Sequence, residues 1–394
     1  MTKSPTSLPV VALSTTLEKS LSSGHPWIYR DHLPKTAQLE HGAFVELRAG
    51  GARAFALYDA ESAIALRVFS TRKVPDDAWL RERVELAFRL REPLRRGRTS
   101  AYRWIFGEGD QLPGITVDLY GDYAVIVSYA SSLDRLIGPV AKALTETTKL
   151  LGVVRRLPSQ EGGARLELVS GRLPPARFVV EEHGARFYAE LEKGQKTGLF
   201  LDQRENRRFI AGMASGLRVL NLFSYTGGFS VHAALAGASR VVSVDASAGA
   251  LETAKDNFRL NGLDPDAHGF ETADVFAYLQ AAISRAERHD IVISDPPSFA
   301  KSRAQQADAI KAYKRLNADG LRTLKPEGIY AAGSCTSQVC PDDFRDTLAE
   351  SARRAKCELQ ILGDFGQPLD HPVLAQHPEG RYLKFIVGRA LKLR

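Results

Sequence analysis

Apolar and polar residues alternate in short runs over the first seventy positions, and that alternation predicts strands. Phe44–Leu47, Ala54–Tyr58 and Ile64–Phe69 are three such runs, with Gly50-Gly51 marking a turn between the first two. Residues 10–70 therefore read as a small β-barrel. Between residues 78 and 96 the period becomes helical, with Leu80, Val84, Ala87, Phe88 and Arg91 on neighbouring turns. A second β-rich stretch follows, in which Ile115–Tyr120 and Ala124–Tyr129 flank the hairpin signal Gly121-Asp122. A helical run from Asp134 to Leu151 comes next, and Pro158–Gly163 and Pro174-Pro175 mark loops. From about residue 216, strands and helices take turns, with strands expected at Arg218–Phe223, Arg240–Asp245, Asp290–Asp295 and Gly328–Ser334. This βαβα order predicts an α/β domain whose parallel sheet carries helices on both faces. Three domains are expected: a barrel (1–75), an α+β middle domain (76–190) and the α/β domain (191–394).

Composition adds limits. At 394 residues the chain exceeds one typical domain, and 44% hydrophobic with 25% charged residues is ordinary for a soluble globular protein. Gly, Arg or Asp interrupts every apolar run before it could span a membrane. The opening residues MTKSPTSLPVVALSTT lack the apolar centre of a secretory signal and read as a short disordered lead. Cys335, Cys340 and Cys357 form no CxxC pair, which excludes zinc-site spacing, and their odd number argues against a disulfide framework. A reducing cytoplasm is the expected setting, with no metal. The net charge of +7 admits a polyanionic partner. Arg89–Arg98 holds five arginines against Glu92, and it suits a solvated helix end and an RNA-contacting patch equally.

The candidate chemistry sits where strands end. Val219-Leu-Asn-Leu-Phe-Ser-Tyr-Thr-Gly-Gly228 closes the first strand of the α/β domain and passes into a helix. Ligands of open α/β sheets bind beyond such strand ends, and Gly227 and Gly228 let a ligand approach the backbone. Seventeen residues on, Asp245 ends the next strand and can accept both hydroxyls of a ribose. A nicotinamide fingerprint would need G-x-G-x-x-G, which Tyr225–Ser230 does not supply, so an adenosyl cofactor without pyrophosphate fits better. Asp274, just past a third strand, is placed either to meet an adenine amino group or to cap a helix.

Ile293-Ser-Asp-Pro-Pro-Ser-Phe-Ala300 ends another strand, and two prolines there can continue neither a ladder nor a regular helix. Asp295 on that rigid turn can accept a hydrogen bond from an exocyclic amino group or a ring N–H. Cys335 falls at the same edge, after Tyr330–Ser334. Carbon 5 of a pyrimidine is too poor a nucleophile to take a methyl group directly, and a thiolate added to carbon 6 makes it enamine-like. Free cysteine is equally a small core residue, so position leaves both readings open.

Asn221–Gly228, Val244-Asp245 and Asp295-Pro-Pro297 together resemble the class I S-adenosylmethionine-dependent methyltransferases. Gly24-His-Pro-Trp-Ile28 in the barrel resembles a PUA domain, an RNA-binding module. With Gly107–Val117, Glu181–Gly184, Gly194–Arg204, Ser334-Cys-Thr336, Asp370-His-Pro-Val373 and Pro378–Leu383, nearly the whole chain looks like the PUA-containing 23S ribosomal RNA (cytosine-5)-methyltransferases. The resemblance implies a Rossmann-like C-terminal domain, S-adenosylmethionine as cofactor and 23S rRNA as partner. It makes Cys335 the nucleophile, and it has Asp295, Pro296 and Pro297 hold a flipped base. Asn221, Phe223, Tyr225, Thr226, Gly227, Gly228, Asp245, Asp274 and Asp295 would line the cofactor pocket, which Gln203 and Arg204 help to close.

Two departures stand out: Ser298 follows the prolines where the family often has Lys, and Thr336 follows the cysteine where it often has Ser. The Asp295-Pro-Pro297 motif also lacks a second cysteine, so one thiol would attack and leave while another base takes the carbon-5 proton. A guanine-methylating rRNA enzyme would need no cysteine, and an inactive RNA-binding assembly factor need not keep all of Asp245, Asp295 and Cys335. Trp27, Tyr29, Arg30, Trp104, Arg95, Arg96 and Arg98 are candidates for RNA contact, with core packing as the alternative for each tryptophan. A homodimer is an open expectation with no interface legible in the sequence.

Overall fold

The computed structural model describes residues 8–34, 38–159, 163–192, 199–300 and 302–392. The expected lead segment, the Pro158–Gly163 loop and the Gly194–Arg204 motif lie partly outside these residues. Two compact units emerge, one of Met1–Val180, Ala189–Leu201 and Leu369–Gly380, the other of Glu181–Tyr188, Asp202–Pro368 and Arg381–Arg394.

The first unit opens with β1 (Val10–Ala12), α1 (Glu18–Ser22), β2 (Trp27–Tyr29), β3 (Phe44–Ala49), β4 (Ala52–Tyr58) and β5 (Ile64–Ser70). Their sheet runs β1-β3-β4-β5-β2, around Val11, Leu21, Ile28, Val45, Leu47 and Leu66. Next come α2 (Asp77–Leu90), α3 (Glu92–Arg96), β6 (Ala101–Phe106), β7 (Ile115–Tyr120), β8 (Tyr123–Ser128), α4 (Asp134–Thr147), β9 (Gly152–Pro158) and β10 (Ala164–Gly171). These strands form a second sheet ordered β10-β9-β8-β7-β6. One apolar cluster runs from Leu57 and Phe69 of the first sheet through Trp79 and Val84 of α2 to Tyr102 and Trp104 of the second. That shared core is the physical reason the expected barrel and middle domains form one unit.

A hairpin, β11 (Phe178–Glu182) and β12 (Ala185–Ala189), precedes the second unit's main run. That run is α5 (Arg204–Ala211), β13 (Arg218–Leu222), α6 (Gly228–Leu235), β14 (Arg240–Asp245), α7 (Ala248–Leu260), β15 (Gly269–Thr272), α8 (Val275–Ser284) and β16 (His289–Ser294). It continues through α9 (Gln306–Arg322), β17 (Leu324–Ser334), α10 (Pro341–Arg354), β18 (Cys357–Phe365) and β19 (Lys384–Lys392). The seven-stranded sheet is ordered β15-β14-β13-β16-β17-β19-β18, and β19 runs opposite to the other six strands. Central strands read as apolar runs because both faces are covered; Val219, Leu220, Ile291, Val292 and Ile293 are fully buried. The expected Rossmann-like fold is what forms. Among the described residues no helix is long and apolar enough to cross a membrane.

Candidate functional site

Register aligns the ends of the central strands. Leu222 pairs with Val244 on one side and Ser294 on the other, and Ser294 pairs with Ala332. The residues that follow these positions therefore share the sheet's carboxyl edge, where open α/β sheets bind ligands.

After Leu222 the backbone enters the left-handed region three times in five residues, at Phe223 (φ 56°), Tyr225 (φ 48°) and Gly227 (φ 81°). Such conformations cost about 1–3 kcal/mol each for residues other than glycine and persist only when surroundings enforce them. Here the Ser224 N–H donates to Val244 O (3.0 Å), the Tyr225 N–H to Asp245 Oδ2 (2.8 Å) and Asn257 Nδ2 to Thr226 O (2.9 Å). Asp245 Oδ1 also accepts from the Ser247 N–H at 2.9 Å. A Cβ on Gly227 would meet that of Ala254 at 3.0 Å, so α7 packs close against the loop. Ser224 Oγ is buried without a hydrogen-bond partner among the described residues, and α6 starts without a side-chain cap. The loop is thus a braced cradle with donors left over.

Asn221 lies inside β13, and its amide donates to Ser230 Oγ (2.9 Å), which in turn meets Ser243 Oγ (2.7 Å). It shapes the loop from behind. Asp274 is exposed and caps α8, Oδ1 accepting from the Ala277 N–H at 2.9 Å. Gln203 and Arg204 are buried at the start of α5; Gln203 Oε1 accepts from Asn206 Nδ2 (2.6 Å), and Arg204 Nε donates to Glu205 (3.1 Å).

The other half of the site hangs on β16 and β17. Asp295–Ser298 leave the ladder without forming a helix, as the two prolines require. Asp295 rests on Gly333: a Cβ there would lie 3.1 Å from the Asp295 Cγ and 3.4 Å from its Cα. Cys335, half-buried, follows Ser334 at the end of β17. Beneath it Tyr313 of α9 joins Ser334 Oγ (3.0 Å) and Thr336 Oγ1 (2.8 Å), and Thr336 Oγ1 meets Ser298 Oγ at 3.2 Å. The two departures from the family pattern therefore touch each other and tie the Asp-Pro-Pro turn to the cysteine loop. Burial pushes the Tyr313 hydroxyl up, so it stays neutral and available as a donor.

Three buried groups beside the site were not singled out from the sequence. Lys384 of β19 is buried, its Nζ donating to Thr336 O (2.6 Å) and Tyr382 O (2.9 Å). Glu182, fully buried, takes two hydrogen bonds from the Arg207 guanidinium (2.6 and 2.5 Å) and one contact from His232 Nε2 (3.0 Å). Gly333 is the third. Burial opposes ionisation of Glu182, but the charge of Arg207 and the hydrogen bonds from His232 and Arg207 outweigh it, holding the carboxyl well below the usual carboxylate range. Arg207 lies on α5 and His232 on α6, so this cluster fixes the helix bearing Gln203 and Arg204 against the helix that opens at the glycines. Two sequence signals bear on these groups: a lysine inside the apolar run Leu383–Val387, and the Glu181–Gly184 motif that contains Glu182.

The expected RNA-contact residues, all in the first unit, part company. Trp104 is fully buried, with Nε1 donating to Val84 O (3.1 Å), and is a core residue. Arg91, within the basic run, is also fully buried and forms a two-fold ion pair with Asp110 (2.7 Å each). Arg30 clasps the carbonyls of Ser62 and Asp59 (2.6 Å each), and Arg95 binds Phe88 O with its guanidinium over the Phe88 ring. Trp27 is half-buried and donates to Glu108 (2.8 Å). Tyr29, Arg89, Arg96 and Arg98 face solvent.

Comparison with known proteins matches this architecture. The family model of S-adenosylmethionine-dependent methyltransferases matches residues 130–378, and that of a PUA-like domain matches residues 11–71. Ribosomal RNA large subunit methyltransferase I of Tolumonas auensis is 37% identical over 393 residues, covering 97% of this chain and 99% of that protein. Its namesake in Salmonella newport is 35% identical over 394 residues, covering 97% and 98%. Among solved structures, SMU.776 complexed with SAH aligns at TM-score 0.86 and 26% identity, over 97% of this chain and 100% of that one. A SAM-dependent methyltransferase from Agrobacterium tumefaciens shares the fold, at TM-score 0.55 and 21% identity over 74% and 90%.

Proposed function

We propose that this chain, which belongs to the S-adenosylmethionine-dependent methyltransferases and carries an N-terminal PUA-like domain, methylates carbon 5 of a cytosine in 23S ribosomal RNA. The observation that carries the reading is Cys335 beside the Asp295 turn on paired strand ends, at the edge where the cofactor loop also ends. The names of the curated relatives support an rRNA substrate.

The residues suit the cofactor. Asp245 would offer its carboxylate to the ribose hydroxyls, the uncapped start of α6 and Ser224 Oγ would offer donors to the amino-acid carboxylate, and Asp274 would accept from the adenine amino group. Phe223, Tyr225, Thr226 and Gly228 complete the cradle, which Gln203 and Arg204 close. S-adenosylmethionine supplies the electrophilic methyl group. Asp245→Ala is expected to weaken S-adenosylmethionine binding about 10²-fold, measured by titration calorimetry, because it removes ribose acceptors and the brace on Tyr225 together.

The cytosine must leave its stack to reach this edge, so a loop or unfolded rRNA is the substrate. Arg96 and Arg98, which face solvent, contact flanking phosphates. Asp295 accepts from the exocyclic amino group, and Pro296 and Pro297 keep the base in plane with it. The Cys335 thiolate adds to carbon 6, forming the S–C6 bond and moving electron density to carbon 5. After methyl transfer a base removes the carbon-5 proton, and the S–C6 bond breaks to return the thiolate. Gly333→Ala is expected to push the Asp295 carboxylate off its seat, and a displacement of that size costs turnover roughly 10²-fold, with a smaller loss of cofactor affinity. Incubation with protein-free 23S rRNA and nucleoside mass spectrometry test the reading: 5-methylcytidine supports it, and a methylguanosine replaces it with the guanine-methylating alternative.

A further inference from the structure

Lys384 is the single charged residue in the run Leu383-Lys-Phe-Ile-Val387, and only 2% of it is exposed. An ammonium in such a place needs polar partners. Two are the carbonyls of Thr336 (2.6 Å) and Tyr382 (2.9 Å). Across the ladder Lys384 is paired with Ser334. Cys335 therefore stands between the residue opposite Lys384 and the residue whose carbonyl Lys384 holds. An ammonium has three N–H bonds, and two are taken by the carbonyls.

We propose that Lys384 is a positioning residue for the nucleophile: its ammonium, held on the carbonyl of the residue after Cys335, favours the thiolate by its charge and pins the Ser334–Thr336 loop. This rests on the reading of Cys335 as nucleophile. The step is a deprotonation in which the Cys335 S–H bond breaks, its proton goes to solvent and the electron pair stays on sulfur beside the cation. Burial pushes Lys384 down to about 8, the Cys335 and Cys340 sulfurs hold it up, and Arg381 lowers it further. It is thus still mostly charged at neutral pH. Other groups face the pair. Arg381 adds positive charge, the Asp295 carboxylate opposes a thiolate, and Tyr313 is a neutral donor. Lys384 is the buried cation bound to the cysteine loop itself, so water screens its charge less than those of the more exposed Arg381 and Asp295.

The test uses the full chain without RNA: alkylation by iodoacetamide followed across pH, with peptide mass spectrometry separating Cys335 from Cys340 and Cys357. In the wild type the Cys335 midpoint is expected at least one unit below the ordinary thiol value of about 8.5. Lys384→Met should raise it by about one unit, slowing Cys335 alkylation roughly 10-fold at neutral pH, while Lys384→Arg keeps it low. Retained S-adenosylmethionine binding reports that each variant is folded. A wild-type midpoint at or above the ordinary value overturns the proposal whatever the variants do, and so does a folded Lys384→Met variant with an unmoved midpoint. Because no methyl transfer is read, failure here is distinct from failure of the cytosine assignment.

Discussion

Cys335→Ala is expected to abolish 5-methylcytidine formation, lowering turnover on the order of 10⁴-fold or more, while S-adenosylmethionine still binds. The size follows from the chemistry. Without covalent addition at carbon 6, carbon 5 has no electron density to offer, and neither the Asp295 turn nor the cofactor loop can supply it. The loop lies on β13 and Cys335 beyond β17, with β16 between them, so the substitution leaves the braces on Ser224, Tyr225 and Thr226 in place. Cys340 cannot substitute: it caps α10, its sulfur accepting from the Asp343 N–H at 3.4 Å. Single-turnover assays with tritiated S-adenosylmethionine read the rate, and calorimetry reads the binding. A variant that retains a tenth or more of the wild-type rate would reduce Cys335 to a packing residue.

Glu182→Ala is expected to destabilise the second unit by about 3–5 kcal/mol, because it strands the buried Arg207 charge with its partner removed. Glu182→Gln should cost less, since the amide oxygen can still accept a hydrogen bond. The folded carboxyl titrates below its unfolded value, so its contribution is complete above the unfolded pKa of about 4.3 and is lost as pH falls towards the folded one. In urea melts the gap between wild type and Glu182→Ala should stay constant near neutral pH and narrow below about pH 4. A constant gap into acid would mean that the loss comes from packing and not from the ion pair. The same variant should weaken cofactor binding, since α5 and α6 meet through Arg207 and His232.

Much of this was legible in the residues because parallel strands buried on both faces leave apolar runs that stop at turn-forming residues. Asn221–Gly228, Asp245, Asp295-Pro-Pro297 and Cys335 all follow such runs, and register brings their strand ends together. β18 and β19 were not anticipated: β18 is an edge strand with mostly exposed positions, and β19 joins the sheet antiparallel. Charge gave the least guidance. Arg91 and Arg96 look alike in one basic stretch, yet Arg91 is buried against Asp110 and Arg96 faces solvent beside Glu92. Which of them turns inward depends on Asp110, nineteen residues away, and on a core that only the folded unit assembles. Lys384 is hidden for the same reason, since its partners come from the loop after β17 and not from its own neighbourhood alone. The Ser298 and Thr336 departures, separate in the sequence, become one contact only in the fold.

The central claim, that Cys335 attacks carbon 6 while carbon 5 is methylated, is tested most directly by trapping. Ribosomal RNA transcribed with 5-fluorocytidine has no carbon-5 proton to lose, so the adduct formed with S-adenosylmethionine present cannot break down. The account predicts an SDS-stable protein–RNA species whose digested peptide carries the nucleotide on Cys335. No such species, in an enzyme that methylates ordinary rRNA, or a nucleotide carried on Cys340 instead, would contradict it.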